Sequence, residues 1–243
     1  MKIIIRTVWL MALALLVPMA ANADEKIFSP DKSIVVDLRT GKGNFGWSVT
    51  KNGKKVYTIN DIRLIVDGKT LAGGDAVKSV KQKSVSETIK PVVPLKFSTI
   101  ESKYTEAVMN FGSCTVEMRV MDNAVAYRFV TKMKGEVLVD NEHFTIVPES
   151  GFTAHYQQCR SFNTAYEERY QHGEADKWIM ENRLATLPML LSGEQDTQLL
   201  IGESDVDDYP RLFLKGNRKG ISAALPGAPI SWEPWGDRGE IIT

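Results

Sequence analysis

Apolar residues fall at alternate positions in short runs, and turn residues separate the runs. Ile34-Val35-Val36-Asp37-Leu38 follows a turn at Ser29-Pro30-Asp31-Lys32-Ser33 and reads as a strand. Gly41-Lys42-Gly43-Asn44 then leads into Phe45-Gly46-Trp47-Ser48-Val49, whose large apolar residues share one face. Asn52-Gly53 is the strongest hairpin signal in the chain, because both residues accept positive φ. It returns the chain through Lys55-Val56-Tyr57-Thr58-Ile59, and a further pass, Ile62 to Val66, ends at Asp67-Gly68. Residues 69–94 are polar and rich in Lys and Ser, so they read as connecting strands or a surface excursion. The β pattern resumes at Leu95–Ile100 and Ala107–Phe111. Ser113–Met121 and Ala124–Thr131 form a second clear hairpin about Asp122-Asn123. In it Val116, Met118 and Val120 share one face, Val125, Tyr127 and Phe129 share another, and Thr115, Glu117 and Arg119 point the opposite way. Phe144–Val147 is one more strand, closed by Pro148.

The last third of the chain organises the rest. It carries a loop dense in aromatics, amides and acids: Tyr156, Gln157, Gln158, Asn163, Tyr166, Glu167, Glu168 and Tyr170. Apolar runs follow at Leu187–Leu191 and Leu199-Leu200-Ile201, and then an acidic turn from Glu203 to Pro210. Two short buried strands with an acid-rich segment at each mouth predict carboxylates and aromatic rings on one rim of a β-structure. A short helix fits between Tyr166 and Ala185, although Gly173 interrupts its period. No segment before residue 164 keeps a helical period over three turns. The pattern predicts an all-β chain, a large antiparallel β-sandwich. Glu240-Ile241-Ile242-Thr243 reads as the start of a further strand, so the sandwich is expected to be incomplete at its C-terminus.

The N-terminus sets the compartment. Lys2 and Arg6 precede an apolar core from Val8 to Met19, and Ala21-Asn22-Ala23 has the small-x-small pattern of a cleavage site. Residues 1–23 therefore read as a signal peptide and residues 24–243 as the mature domain, periplasmic or secreted, with no membrane attachment after cleavage. Without Lys2 and Arg6, 28 basic residues face 30 acidic ones. That balance offers no basic field for nucleic acid or acidic lipid. The two cysteines, Cys114 and Cys159, do not make a disulfide framework, and Cys114 sits in an alternating apolar run where a buried free thiol is the commoner state.

Most catalytic motifs are absent. The sequence has no G-x-S-x-G elbow, P-loop, dinucleotide fingerprint, H-E-x-x-H or C-x-x-C. The three histidines, His143, His155 and His172, are separated and fall on different predicted elements, which makes a zinc site of them a remote prospect. Glycosidases use two carboxylates across the scissile bond, but the adjacent Glu167 and Glu168 face opposite ways in an extended segment. A pairing with a distant acid such as Glu203 has nothing in the spacing to support it, so no catalytic residue is assigned. Asp205, Asp207 and Asp208 read as a solvated turn. Calcium suits a lone rim carboxylate better, but it takes six to eight oxygens, of which one glutamate supplies one or two. Tyr156, Tyr166, Tyr170 and Trp178 are candidates to stack on sugar rings, with at least two of them, Trp178 foremost, expected in the core.

Four segments in order resemble one family. Ser29–Leu38 resembles its first strand, and Asp122–Phe129 is similar to a family hairpin, with Ala124 where glycine is frequent. Asn163–Tyr170 resembles its rim loop, and Pro188–Leu191 followed by Leu200–Pro210 is similar to its most recognisable signature. The family is the amino-terminal domain of glycoside hydrolase family 97, α-glucosidases and α-galactosidases of bacterial glycan degradation, retaining or inverting. The resemblance implies a β-super-sandwich packed on a catalytic (β/α)8 barrel that this chain lacks, acting on an α-linked oligosaccharide. It implies that Glu167 lends a carboxylate to an active-site calcium, with Glu168 as the fallback if the loop is shifted by one. Glu203 goes to the domain interface, and Tyr166 and Tyr170 to the substrate. On this reading the chain alone is inactive. The alternative is a stand-alone secreted β-sandwich that binds carbohydrate without hydrolysing it.

Overall fold

The computed structural model describes residues 25–204, 206 and 209–227, together with the backbone of 232–234 and 240–242. The predicted signal peptide and Asp205, Asp207 and Asp208 lie outside the described residues. Eleven strands come first: β1 (Glu25–Phe28), β2 (Ile34–Gly41), β3 (Asn44–Lys51), β4 (Lys54–Val66), β5 (Lys69–Ala72), β6 (Ser79–Ile89), β7 (Ile100–Asn110), β8 (Cys114–Val120), β9 (Val125–Thr131), β10 (Val139–Pro148) and β11 (Thr153–Cys159). After them come β12 (Tyr170–Glu174), α1 (Ala175–Met180), β13 (Leu184–Ser192), β14 (Gln198–Ile201), β15 (Phe213–Gly216), β16 (Ile221–Ala224), β17 (Trp232–Pro234) and β18 (Glu240–Ile242).

The strands form a large antiparallel sandwich, as the pattern predicts. A 12-stranded sheet runs β1-β2-β3-β4-β10-β16-β15-β13-β11-β12, with β5 beside β4 and β14 beside β13. A four-stranded sheet, β6-β7-β8-β9, packs on its first half. One hydrophobic cluster joins the two, drawing Val36, Trp47 and Ile62 from the large sheet and Met109, Val116 and Met118 from the small one. Aromatic rings bridge the layers edge to face, Phe45 with Phe111 at 4.9 Å and Trp47 with Tyr127 at 5.3 Å between centroids. Such geometry is favoured by the ring quadrupoles and adds about 0.5–1.5 kcal/mol per pair beyond area burial.

The Asn52-Gly53 hairpin forms with both residues at positive φ. The Asp122-Asn123 hairpin also forms, with Val116, Met118 and Val120 fully buried. Other segments differ from expectation. Lys55–Ile59 and Ile62–Val66 are one 13-residue strand, kinked where Asp61 takes a φ of 58° and the register with β10 breaks. The polar 69–94 region supplies β5 and the whole of β6, which is exposed because it closes the edge of the small sheet. Leu95–Ile100 is no strand until Ile100; Leu95 and Phe97 stand in solvent at the tip between β6 and β7. Leu199–Ile201 is not a buried run either, since Leu200 is 65% exposed on an edge strand that pairs only with β13. The helix between Tyr166 and Ala185 shrinks to six residues, buried through Ala175, Trp178 and Ile179, because Tyr170–Glu174 pairs with β11 instead. Cys114 and Cys159 are both buried free thiols, and burial raises both thiol pKa values.

The sheet is spliced late in the chain. β10 and β13 are separated by the hairpin β15–β16, with Ile146 opposite Ile221 on one side and Ala185 opposite Leu214 on the other. Glycines let the splice sit close. A Cβ on Gly220 would lie 2.4 Å from the Ile146 carbonyl oxygen, and one on Gly216 would lie 2.7 Å from the carbonyl oxygens of Trp178 and Ile179.

Candidate functional site

The far end of the large sheet carries the acid-rich loop, residues 160–169, between β11 and β12. Alternation along β11 decides what each side chain does. Ala154 and Tyr156 point into the core, while His155 and Gln157 lie on the open face. Tyr156 packs on Trp178 with ring centroids 5.5 Å apart. It is therefore a core residue rather than a sugar platform, and Trp178 is core as expected.

Gln157 holds the loop. Its Oε1 accepts a hydrogen bond from Thr186 Oγ1 at 3.0 Å, which leaves the amide nitrogen to donate to the carbonyls of Tyr166 (3.0 Å) and Glu168 (2.5 Å). These two carbonyls flank Glu167, so one glutamine fixes the backbone on either side of it. Tyr166 turns the chain with a φ of 58°, a left-handed conformation that a bulky residue adopts only when its surroundings hold it. Those surroundings are Phe213, against which the rings of Phe162 (5.1 Å) and Tyr166 (6.2 Å) pack, and the Arg211 guanidinium 5.0 Å from the Tyr166 ring centre.

Glu167 itself is exposed and makes no hydrogen bond or ion pair with the described residues. Tyr166 and Tyr170 are exposed on the same loop and the strand after it, so the structure brings the three predicted site residues to one rim. Glu168 faces a cleft of about 280 Å³ that also draws on Arg160, Asn163, Thr164 and Gln171. A wider cleft of about 490 Å³ lies beside it, bounded by Arg160, Phe162, Arg183 and Lys215. Among the described residues no group of three or more His, Cys, Asp or Glu side chains converges to hold a metal. Glu203 serves its own turn: both carboxylate oxygens accept the Leu212 N–H, at 3.0 and 3.2 Å.

Two clusters here were not evident from the sequence. Tyr209 Oη donates to the Glu142 carboxylate at 2.9 Å, and burial raises the pKa of Glu142. Burial likewise pushes the Tyr127 and Tyr209 hydroxyls up. The second is a histidine pair. His155 and His172 lie directly opposite on β11 and β12, with their Nδ1 atoms 2.6 Å apart. Sequence separation hid them, since the loop between brings back a strand that the pattern gave to a helix. His143 stands apart on β10, its Nε2 3.2 Å from Asp61.

Comparison with known proteins fits this architecture. A retaining α-galactosidase of Bacteroides thetaiotaomicron is 26% identical over 200 residues, which cover 78% of this chain and 30% of that protein. A glycoside hydrolase family 97 enzyme of Pseudoalteromonas sp. strain K8, solved in complex with acarbose, superposes with a TM-score of 0.68 at 17% identity over 90% of this chain and 33% of its own. A β-arabinopyranosidase structure gives 0.67 at 19% identity, over 84% of this chain and 35% of its own. The chain thus spans about a third of the length of these proteins. The family profile described as "Glycosyl-hydrolase 97 N-terminal" matches residues 27–235, and the chain belongs to that family.

Proposed function

We propose that this chain is the substrate-side domain of an exo-acting α-glycoside hydrolase, an α-glucosidase or α-galactosidase exported to the periplasm. It packs on a catalytic (β/α)8 barrel that lies beyond these residues. Supporting this reading are the family membership, the α-galactosidase relative and the threefold greater length of the matched proteins. Glu167 would donate one carboxylate to a calcium ion at the junction with the barrel. Tyr166 and Tyr170 would offer ring faces to the α-linked sugar.

The observation that carries the proposal is the state of Glu167. A carboxylate exposed at the apex of a loop clamped on both sides, with no internal partner, is positioned for a ligand from outside the domain. The donor set fits calcium in kind, since the group is a hard oxygen ligand, but supplies only part of a shell of six to eight oxygens. The chemistry fits a shared ion, with the remaining oxygens coming from the barrel and water. When bound, the ion would polarise the site. What this chain does itself is hold the carboxylate, orient the rings and screen the rim.

The test uses the full-length enzyme. Glu167→Gln should weaken calcium binding at least about tenfold and reduce turnover of a nitrophenyl α-glycoside, with Glu168→Gln much closer to the parent. The isolated domain should show neither turnover nor submicromolar calcium binding. Unchanged calcium affinity in the Glu167→Gln enzyme would overturn the assignment.

A further inference from the structure

We propose that His155 and His172 form a two-imidazole site for a late first-row divalent ion such as Zn²⁺, Ni²⁺ or Cu²⁺, separate from the calcium carboxylate and clamping the strand at the base of the rim loop. The site is set by strand register, since the two residues face each other across β11 and β12. Directly opposed side chains on one face of an antiparallel pair are close enough to share a ligand. Their rings stand 4.9 Å apart between centroids at an interplanar angle of 65°. Both are accessible to solvent.

Hydrogen bonding prepares one of the two ligands. Ser192 Oγ donates its proton to Gln198 Oε1 at 2.9 Å, so it accepts at its lone pair from His155 Nε2–H, 3.0 Å away. Neutral His155 therefore carries its proton on Nε2 and presents an Nδ1 lone pair toward His172. At 2.6 Å two opposed lone pairs would repel, so a proton or a cation has to lie between them. Without metal it is the His172 Nδ1 proton. With metal, His172 carries its proton on Nε2 instead, and both Nδ1 lone pairs meet the ion with no net proton released.

The fit needs the rings to part and turn. Tetrahedral zinc with Zn–N bonds of about 2.0–2.1 Å separates its nitrogens by roughly 3.3 Å, so the rings must part by less than an ångström, and each must swing by roughly 35° for its lone pair to meet the ion. No third His, Cys, Asp or Glu converges among the described residues, so water completes the shell. Affinity should follow the ligand preference of paired imidazoles, with copper tightest and calcium excluded. The mechanical effect is local. β12 is an edge strand paired only with β11 and exposed at every residue, and it takes up the chain where the loop bearing Glu167 ends. An ion across the pair pins that strand.

Titration of chelator-treated, untagged protein with Ni²⁺ and Zn²⁺ by calorimetry tests this. One ion per chain is expected, with affinity falling about tenfold or more in His155→Ala and His172→Ala and unchanged in His143→Ala. Ser192→Ala should weaken binding by roughly tenfold while leaving the circular dichroism spectrum intact, since it positions His155 rather than ligating. In the parent protein, Zn²⁺ should slow amide exchange across Tyr170–Glu174, and Ca²⁺ should not. Equal binding by the parent and the His155→Ala/His172→Ala double variant, or no saturable binding at millimolar metal, would sink the proposal. Because Glu167 plays no part, neither result bears on the calcium assignment.

Discussion

Phe45 and Tyr170 are both aromatic residues on strands of the same sheet, yet one is 1% exposed and the other 50%. Phe45 lies where the four-stranded sheet covers the large one, between Trp47 and Phe111. Tyr170 opens an edge strand beyond the reach of that cover. The first half of the domain is thus two layers with rings interlocked across them. At the far end the sheet is backed by α1, while its open face and the loop above it display His155, Glu167 and Tyr170. The core cluster runs through both halves, but only the far half leaves one face of the sheet open, so the same residue type is buried or exposed according to its place in the sheet.

The largest effect should come from the covered half. Phe45→Ala removes a ring from the junction of the two layers and should cost about 3–5 kcal/mol, read as a shift in the urea midpoint at unchanged slope. A loss below about 1 kcal/mol would show that the two layers do not share a core. A smaller, pH-dependent effect is expected at Glu142. Burial raises its folded-state pKa above the unfolded value of 4.5, so the folded state holds the proton more tightly. Stability from this group is therefore fully present below pH 4.5 and is lost as pH rises through the folded-state pKa. Glu142→Gln should remove that decline, and its unfolding free energy should gain on the parent as pH rises from 4.5 to neutrality. A constant difference between the two curves would contradict this. The smallest effects belong to the rim: Glu167→Gln and Tyr170→Ala should each change stability by no more than about 0.5 kcal/mol, because neither side chain is buried.

Much of the sandwich was legible because its signals are local. Alternation in Val116, Met118 and Val120 needs no knowledge of the partner strand to say which face is buried, and Asn52-Gly53 specifies its turn by backbone preference alone. Long-range pairing was not legible. Tyr170–Glu174 has no buried residue and so no alternation to read, and only its pairing with β11 makes it a strand. The same blind spot hid the histidine pair. Tyr156 was misplaced as a rim residue because its neighbours in sequence are polar, whereas period-2 geometry turns it toward Trp178. Glu167, Tyr166 and Tyr170 fall together simply because they are close in sequence, on one loop and the strand that follows.

The splice at β15–β16 has a consequence for biosynthesis. Translation delivers β10 and β13 well before the hairpin that must lie between them. Until residues 213–224 have left the ribosome, each of those strands presents an unsatisfied backbone edge, and pairing the two directly would be a wrong register from which the chain must retreat. Completion of the sheet is therefore a late event. A polypeptide of this design is best kept unfolded until that hairpin is available.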